Sequence, residues 1–151
     1  MNNFIPTKLY NQIIKNIPIV CIDVVVRYKE QVLLIRRKDQ PMKDSWWVVG
    51  GRLQIFEDFD VAVKRILKGE TGINISKNNK SVKYVGLAST SFKNSPAKSP
   101  MNSINLIFYV EVKSNKVTLD SHSSNYCWLN LEQLKSSEVL DEYLKFCFSL
   151  V

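Results

Sequence analysis

The chain has 151 residues, of which 45% are hydrophobic and 23% charged, and its formal net charge is +7. This length supports one domain with a substantial buried core, and this composition is that of a globular chain rather than a disordered or fibrous one. The positive charge is spread along the sequence, so it suits a small polyanionic substrate such as a nucleotide and gives no specific indication of a nucleic-acid partner.

The first half of the chain predicts a helix, a β-hairpin and a strand–turn–helix unit. Residues 7–17 carry apolar side chains at helical spacing, with Thr7 as the candidate N-cap and Pro18 closing the segment. The β-branched runs that follow are divided by the polar pair Lys29-Glu30, which predicts the hairpin turn. In order, this half contains a helix over 7–17, strands over 19–28, 31–37 and 46–49, a loop over 38–45, and a helix over 58–70.

The second half predicts strands joined by longer connectors. The segment 93–102 contains two prolines and no hydrophobic periodicity, so we expect a flexible loop close to whatever the sheet binds. The predicted elements are strands over 81–92, 103–112 and 126–129, followed by helical segments. Strands mixed with helices, without regular alternation, indicate an α+β fold or a mixed-sheet sandwich.

The three cysteines, Cys21, Cys127 and Cys147, are too few and too scattered for a disulfide framework. Cys21 and Cys127 lie in apolar runs, so we expect buried, reduced thiols. The opening residues MNNFIPTKLYNQIIKN lack the apolar core of a signal peptide, and no apolar run approaches membrane-spanning length. The sequence therefore predicts a cytoplasmic location and no membrane partner.

Residues 50–73 combine a Gly-Gly turn with an amphipathic helix. The paired glycines follow an apolar strand and allow a ligand to approach the backbone without an intervening side chain. The spacing of the residues behind them resembles the box of the Nudix hydrolase family. The matching positions are Gly51, Glu57, Arg65, Leu67, Glu70, Gly72 and Ile73. The resemblance implies a Nudix fold, an α/β/α sandwich with a mixed sheet flanked by helices, over a single domain at 1–151, with 50–73 as a degenerate box.

Ile66 and Gly69 stand where the Nudix box has two further glutamates. Positions 66, 69 and 70 share one helix face, on which three carboxylates would hold a cluster of divalent cations. Glu70 alone could complete one Mg²⁺ with the Gly50 carbonyl, phosphate oxygens and water. We therefore expect one Mg²⁺ ion, for which Mn²⁺ could substitute. An alternative explanation of Gly69 is that the helix ends there, with Lys68-Gly69 as its cap.

The box keeps Arg65 and Glu70 but replaces the glutamates at positions 66 and 69. This pattern is similar to that of the GDP-mannose mannosyl hydrolase branch of the family. Further segments that resemble this branch lie at 18–23, 33–37, 41–54 and 126–129. The resemblance implies that a GDP-hexose, GDP-mannose above all, is hydrolysed to GDP and free sugar. Water would attack the anomeric carbon with inversion while Mg²⁺ helps GDP to leave. It also implies a homodimer, whose interface the helix within 1–17 could serve.

The resemblance assigns the departing diphosphate and catalysis to four residues, namely Asp23, Arg37, Arg52 and Arg65. Of these, Arg37, Arg52 and Asp23 would contact the substrate, and an arginine fork suits the charge that builds on the β-phosphate. Arg37 could instead be a solvated strand end, and Arg65 could form an intrahelix pair or a structural ion pair with Glu57. Asp23 interrupts an apolar strand, so it requires a polar partner or a function unless it faces outward at an edge.

The candidates for the general base lie in the segment before Tyr126. The branch has a Gln-His pair before its Tyr-x-Trp-Leu strand, with Gln on the metal and His as the base. Alignment on Tyr126 puts His122, the sole histidine, on the Gln position and Ser123 on the His position. A one-residue shift could make His122 the base, or His122 could bind the metal while Ser123 or water acts as a poor base. Alternatively the loop has lost catalysis, or His122 is an ordinary surface histidine.

Two rival functions follow from the same residues. The first is a conventional Nudix pyrophosphohydrolase of a nucleoside diphosphate derivative, against which the missing carboxylates argue. The second is a non-catalytic module that binds a nucleotide sugar or RNA through its basic surface.

Overall fold

A computed structural model describes residues 5–76, 81–137 and 140–151 of the chain. In chain order, the helices and strands are α1 (Thr7–Asn16), β1 (Ile19–Tyr28), β2 (Gln31–Arg37), β3 (Trp46–Trp47), β4 (Val49–Arg52), α2 (Phe59–Thr71), β5 (Lys83–Phe92), β6 (Met101–Glu111), β7 (Ser123–Asn130), α3 (Leu131–Lys135) and α4 (Glu142–Ser149). Residues 1–4 of the segment expected at a dimer interface lie outside the described residues.

Strand β1 is central to a mixed seven-stranded sheet. It pairs in parallel with β6 from Ile19 to Arg27, and β6 pairs antiparallel with β5. The other side of β1 is shared, because β2 pairs with it at Arg27 and Tyr28 while β4 pairs with residues 21–24. The hairpin predicted at Lys29-Glu30 is confirmed. The turn predicted at Gly50-Gly51 is wrong, because both glycines lie within β4 and pair with Asp23 and Ile22 of β1. Gly50 therefore lies beside Asp23 in the interior of the sheet.

Apolar side chains pack on both faces of this sheet, which produces the expected sandwich. Helix α2 covers one face and contributes Ala62, Val63, Ile66 and Leu67 to a cluster with the alternate residues Ile22, Val24 and Val26 of β1. Helices α3 and α4 cover the other face through Leu131, Leu134, Leu144 and Phe148. The predicted α+β class, with a mixed sheet flanked by helices, is therefore confirmed.

Helix α2 continues past Gly69, the residue at which the sequence allowed the helix to end. Its N-cap is Asp58, and its C-cap is Gly72, whose φ of 67° is the left-handed conformation that glycine adopts without strain. The alternative in which the helix ends at Lys68-Gly69 is therefore wrong. Ile66 is 3% exposed and packs in the core, so its side chain has a structural role.

Several strand boundaries differ from the prediction, and β7 begins at Ser123 rather than at residue 126, which puts Ser123 in a strand instead of the expected loop. The expected strand 46–49 is divided, because Trp47 pairs with Ile35 of β2 whereas Val49 pairs with Val24 of β1. Strand β6 begins at Met101 rather than at residue 103. The intervening loop is consequently shorter than predicted, but it contributes residues to the candidate site, as expected of a loop near the sheet's ligand.

Helix α1 packs against its own domain. Its buried Ile14 contacts a cluster with Ile19 and Met101, while Leu9 and Ile17 are 49% and 57% exposed. Pro6 occupies the N-cap position predicted for Thr7, because Thr7 already lies within the helix.

The cysteines are free thiols, as expected, but their burial differs from the prediction. Cys147 is buried, whereas Cys21 and Cys127 are only partly buried, because each lies in a strand that is incompletely covered. Across residues 5–76, 81–137 and 140–151, no helix is both long and apolar enough to cross a bilayer.

Candidate active site

Two adjoining cavities lie where β1, β2 and β4 meet the loop after β5. The inner cavity, of about 210 Å³, is lined by Asp23, Trp47, Phe92 and Asn105 among others. The outer cavity has a volume of about 830 Å³. It is lined by several residues that do not line the inner cavity, including Asp39, Glu70, Asp120, His122 and Ser123. The residues common to both are Tyr10, Arg37, Gln40, Gly50, Arg52 and Pro96. The two predicted substrate-binding arginines therefore lie where the cavities meet.

Asp23 is a buried carboxylate on β1, with 5% of its surface exposed. Its Oδ2 accepts a hydrogen bond from Asn105 Nδ2 at 3.1 Å and another from the Tyr143 hydroxyl. Burial raises the pKa of Asp23 to about 6, against the opposing effects of the Tyr143 hydrogen bond and the Arg37 charge. The polar partner expected for this residue is therefore present, and the edge position considered for it is wrong.

Gly50 separates Asp23 from Glu70. A Cβ atom at Gly50 would collide with Asp23 Oδ1, so the carboxylate needs this position to be glycine. On its other side, the Gly50 N–H donates to Glu70 Oε2 at 3.2 Å. The contact that the structure shows is made by the amide nitrogen, so the Gly50 carbonyl as a metal ligand stays a prediction.

Glu70 is the acidic group on α2 that faces the cavities. Burial raises the pKa of its carboxyl from 4.5 to about 8, and the nearby carboxylates of Asp120 and Asp23 add to that increase. The Gly50 N–H and the Arg37 charge act in the opposite direction. A buried carboxylate next to two others is an environment that a bound cation would stabilise.

The residues around Glu70 fit one divalent cation. Asp120 lines the same cavity, its backbone N–H donates to the Glu70 carbonyl at 3.3 Å, and its charge raises the pKa of Glu70 further. Position 69 offers no side chain, and Ile66 is in the core. No three His, Cys, Asp or Glu side chains are grouped closely enough to hold a metal in the part of the chain that the structure describes. The sequence pattern at 66–70 did not indicate Asp120.

Arg65 on α2 is bonded to the end of β4 and to the loop that follows it. Its Nε donates to Glu57 Oε1 at 2.6 Å and its Nη2 to Glu57 Oε2 at 2.8 Å, and Nη2 also donates to the Arg52 carbonyl at 3.0 Å. The structural ion pair considered for Arg65 is thus present, and it attaches α2 to β4. Arg65 lines neither cavity, so any part that it has in catalysis would be through the position of Arg52.

Arg37 is partly buried, and the alternative of a solvated strand end is wrong. Its Nε donates to the Pro41 carbonyl at 2.7 Å, which directs the guanidinium along the loop after β2. Its charge opposes the increases in the pKa of both Asp23 and Glu70. Arg37 is therefore close enough to both carboxylates to affect their ionisation, and its contact with a substrate diphosphate stays a prediction.

His122 lies on the rim of the outer cavity. Its side chain is 75% exposed, and its Nδ1 is 2.6 Å from Asp39 Oδ2. Its backbone N–H donates to Asp120 Oδ1, which fixes the turn that precedes β7. Ser123 lines the same cavity but is only 5% exposed. Of the two base candidates, His122 is the one with an acidic partner on its ring, and sequence reasoning did not identify that partner.

The sequence model of the protein family described as the NUDIX domain matches residues 18–146 of the chain. The low-salt glycan biosynthesis protein Agl8 of Haloferax volcanii is 32% identical over 72 residues, covering 48% of this chain and 46% of Agl8. The ADP-ribose pyrophosphatase of Methanocaldococcus jannaschii is 36% identical over 56 residues, covering 37% of this chain and 33% of that protein. The chain thus matches less than half the length of these two relatives.

Solved structures share the fold at lower identity. A MutT protein from Methanosarcina mazei has a TM-score of 0.70 at 22% identity, covering 89% of this chain and 93% of its own. A MutT Nudix hydrolase from Burkholderia pseudomallei has a TM-score of 0.71 at 17% identity, covering 90% and 99%. The Nudix domain of Shewanella oneidensis NrtR, complexed with ADP ribose, has a TM-score of 0.67 at 14% identity, covering 96% and 90%. With the domain model matched over most of its length, the chain belongs to the Nudix family.

Proposed function

We propose that this Nudix protein hydrolyses a GDP-hexose, GDP-mannose foremost, to GDP and free sugar. Water would attack the anomeric carbon and break the C–O bond with inversion, so that GDP departs with both phosphates. One Mg²⁺, or Mn²⁺ in its place, would assist the departure.

The observation that carries this proposal is the composition of the α2 face. Of the three positions that share it, Ile66 is a core residue, Gly69 has no side chain, and only Glu70 presents a carboxylate to Gly50 of β4. Such a face supports one ion rather than a cluster. Attack at carbon requires less metal assistance than attack at phosphorus, because the diphosphate leaves intact and the main demand is to neutralise it.

The arginines supply that neutralisation in the proposal. Arg37 and Arg52 line the junction of the cavities, and Glu70 lines the outer one. A diphosphate held there would meet two guanidinium groups and the cation that Glu70 and Asp120 would bind. Such groups stabilise a leaving group most when they are fixed before the reaction begins, and the hydrogen bond from Arg37 to Pro41 provides that for one of them.

His122 is the proposed base. A base must accept a proton near neutral pH and must be oriented, and the contact with Asp39 would orient the ring. The alternative role of His122 as a metal ligand would require its other nitrogen to point toward Glu70. In that case Ser123 would act as the base, and because it is a poor base the enzyme would be slow.

The relatives are consistent with a nucleotide-sugar substrate and also with a rival. The name of Agl8 places that protein in glycan biosynthesis, a process that uses activated sugars. The ADP-ribose pyrophosphatase and the NrtR domain with ADP ribose favour the second candidate, a pyrophosphohydrolase of a nucleoside diphosphate derivative. Asp120 beside Glu70 is the structural feature that favours it too, because it adds a second carboxylate to the site.

Hydrolysis in ¹⁸O-labelled water separates these candidates. The proposal expects the label in the free sugar and none in the phosphates. Label in a nucleoside monophosphate or a sugar phosphate would replace the proposal by pyrophosphate cleavage. Measurable binding of GDP-mannose with no turnover, at high protein concentration and saturating Mg²⁺, would instead indicate a non-catalytic nucleotide-binding module.

A homodimer is also part of the proposal. Leu9 on α1 and Ile17, the residue after the helix, remain about half exposed after α1 has packed on its own domain, and they are available to a second copy. Light scattering after size-exclusion chromatography tests this, and a monomer at micromolar concentration would reject it.

A further inference from the structure

The outer cavity has more positive charge than the diphosphate of the proposed substrate requires. Among the residues that the structure describes, the cationic side chains that line it belong to Arg37, Lys38, Lys43, Arg52 and Lys98. Two guanidinium groups are sufficient to neutralise a diphosphate whose phosphates each carry about one negative charge. The three lysines therefore require another explanation.

The acidic residues of this cavity have other partners. Asp39 Oδ2 is 2.6 Å from His122 Nδ1. Glu70 and Asp120 line the cavity as well, and both would be neutralised by the proposed cation. The lysines are consequently not explained as counter-charges to these carboxylates.

Lys43 and Lys98 lack a protein counter-charge. Lys38 differs from them, because its Nζ donates to the Ser121 carbonyl at 3.2 Å. In the part of the chain that the structure describes, neither Lys43 nor Lys98 forms an ion pair with a carboxylate. Both are charged at neutral pH, so the cavity has two positive charges that a ligand could neutralise.

The loop after β2 holds the backbone of Lys43 in a fixed position. Its neighbours Met42 and Asp44 have φ angles of 61° and 64°, in the left-handed region that residues other than glycine rarely adopt. The Asp44 N–H donates to the Arg37 carbonyl at 2.9 Å, and Arg36 Nε donates to the Asp44 carbonyl at 3.1 Å. Backbone strain of this kind persists where the surroundings enforce it, and it is concentrated at ligand sites.

The loop after β5 presents Lys98 to the same cavity in a similar way. Lys98 itself has a φ of 52°, and its N–H donates to the Ser95 carbonyl at 2.9 Å. The Ser95 hydroxyl accepts from the Ala97 N–H at 3.1 Å, and Ser95 is only 3% exposed. Two loops that are distant in sequence thus each provide an ordered turn with a lysine at the outer cavity.

The positions of the lysines relative to the arginines limit what they can bind. Arg37 and Arg52 line both cavities, whereas Lys43 and Lys98 line the outer one and not the inner one. A diphosphate at the arginines would leave the lysines to a different group of the same ligand. An ammonium group is a compact point charge, which suits a carboxylate or a phosphate.

We propose that Lys43 and Lys98 bind a second anionic group of the substrate, a carboxylate or phosphate that is separate from the diphosphate. This inference rests on the proposed function, because it takes the diphosphate to lie at Arg37 and Arg52. Two parts of a nucleoside diphosphate sugar can carry such a group. The sugar carries it when it is a uronic acid, and the nucleoside carries it when its ribose is phosphorylated.

Calorimetry in EDTA at low ionic strength tests the proposal with two matched pairs of ligands. GDP-mannuronate is compared with GDP-mannose, and guanosine 3′-diphosphate 5′-diphosphate is compared with GDP. The more highly charged member of one pair should bind the wild-type protein roughly 5- to 20-fold more tightly, as two solvent-accessible charge pairs allow. A gain in the first pair places the anionic group on the sugar, and a gain in the second places it on the ribose. Equal affinities within both pairs would overturn the proposal.

The double variant Lys43→Gln, Lys98→Gln shows whether these lysines produce the gain. Glutamine removes the charge and retains a long side chain, and the ratio within a pair should fall below about threefold. The control is Lys113→Gln, Lys116→Gln, which changes the net charge equally at two exposed lysines that line neither cavity. This control should keep the wild-type ratio. An unchanged ratio in the first variant, or an equal loss in both, would overturn the proposal.

These outcomes are separate from those that test the proposed function. Release of labelled sugar from GDP-mannose, with equal affinities within both pairs, would leave the proposed function standing and reject the anionic site. A gain that depends on Lys43 and Lys98 would support the site even if labelled water showed pyrophosphate cleavage, because affinity does not depend on which bond breaks. Failure of all four ligands to bind would overturn both proposals.

Discussion

The carboxylate of Asp23 lies over Gly50 so closely that a Cβ atom at Gly50 would collide with it. The same glycine donates its N–H to Glu70, and so the absence of one side chain lets the buried carboxylate of Asp23 and the part-buried carboxylate of Glu70 approach the same backbone position. Glycine at this position is therefore a requirement of the site, since nothing in the β4 backbone conformation itself requires it.

Gly50→Ala should abolish most of the activity and destabilise the protein. The added methyl group would displace Asp23 from Tyr143 and Asn105, and overpacking of this kind costs about 1–3 kcal/mol. Thermal unfolding and kcat/KM would check the two effects. A variant with wild-type stability and activity would show that Asp23 can move at little cost.

Gly69→Ala is the matched control for that substitution. A Cβ atom at Gly69 meets no atom within 4 Å, and the residue lies inside α2. Alanine there should raise the free energy of unfolding by about 0.5–1 kcal/mol, because glycine is the poorer helix former. Urea denaturation measures the gain, and a loss of stability would contradict the open surroundings of this position.

The metal-free protein should lose stability as the pH rises from about 4.5 to about 8, owing to Glu70. The pKa of this carboxyl is raised from 4.5 to about 8 in the folded state, so the folded protein binds the proton more tightly and is penalised when the group ionises. Glu70→Gln removes the penalty and should be more stable than the wild type at pH 8, by at least about 1 kcal/mol. The difference should shrink below pH 5.

Unfolding of both proteins in EDTA, as a function of pH, would measure this difference. Added Mg²⁺ should stabilise the wild type at pH 8 more than Glu70→Gln, because the cation favours the ionised carboxylate. A constant difference between the two proteins across this pH range would contradict the raised pKa.

The ion pair of Arg65 and Glu57 should contribute stability with the opposite dependence on pH. The hydrogen bonds from Arg65 lower the pKa of Glu57, so the contribution is present above the ordinary carboxyl pKa and is lost as the pH falls through the lowered value. Arg65→Met should therefore destabilise the protein at pH 7 by about 1 kcal/mol and by less at pH 3. Equal destabilisation at both pH values would assign the effect to packing instead.

The sequence could predict those parts of the site that depend on local spacing. Glu70, Gly50 and Arg65 follow from one continuous segment, in which a turn and a helix fix the relative positions of the residues. Asp23 was identifiable because a carboxylate within an apolar strand requires a partner, although nothing in the strand indicated which partner.

The partners themselves come from distant parts of the chain. Tyr143 is 120 residues away from Asp23 and reaches it because α4 covers the face of the sheet that contains Trp47. Asp39 meets His122 across 83 residues because Lys38 and His122 are joined by a backbone hydrogen bond. Spacing along the sequence carries no record of such contacts, since they depend on which strands become neighbours.

Asp120 had a weak local signal, because an Asp two residues before His122 can accept a hydrogen bond from the His122 N–H in a turn.

His122→Ala is the decisive substitution for the proposed base. The side chain is 75% exposed, so its removal should leave the fold intact while kcat falls by roughly 10²- to 10⁴-fold. Asp39→Asn should reduce kcat by a smaller factor, because the ring would lose its acidic partner but keep its own nitrogen. KM for GDP-mannose should change little in either variant, since neither side chain is proposed to bind the diphosphate.

Lys145→Ala, at an exposed ion pair on α4, serves as a surface control. Unchanged turnover in His122→Ala would remove His122 as the base, and a large increase in KM for Mg²⁺ would assign it to the metal instead.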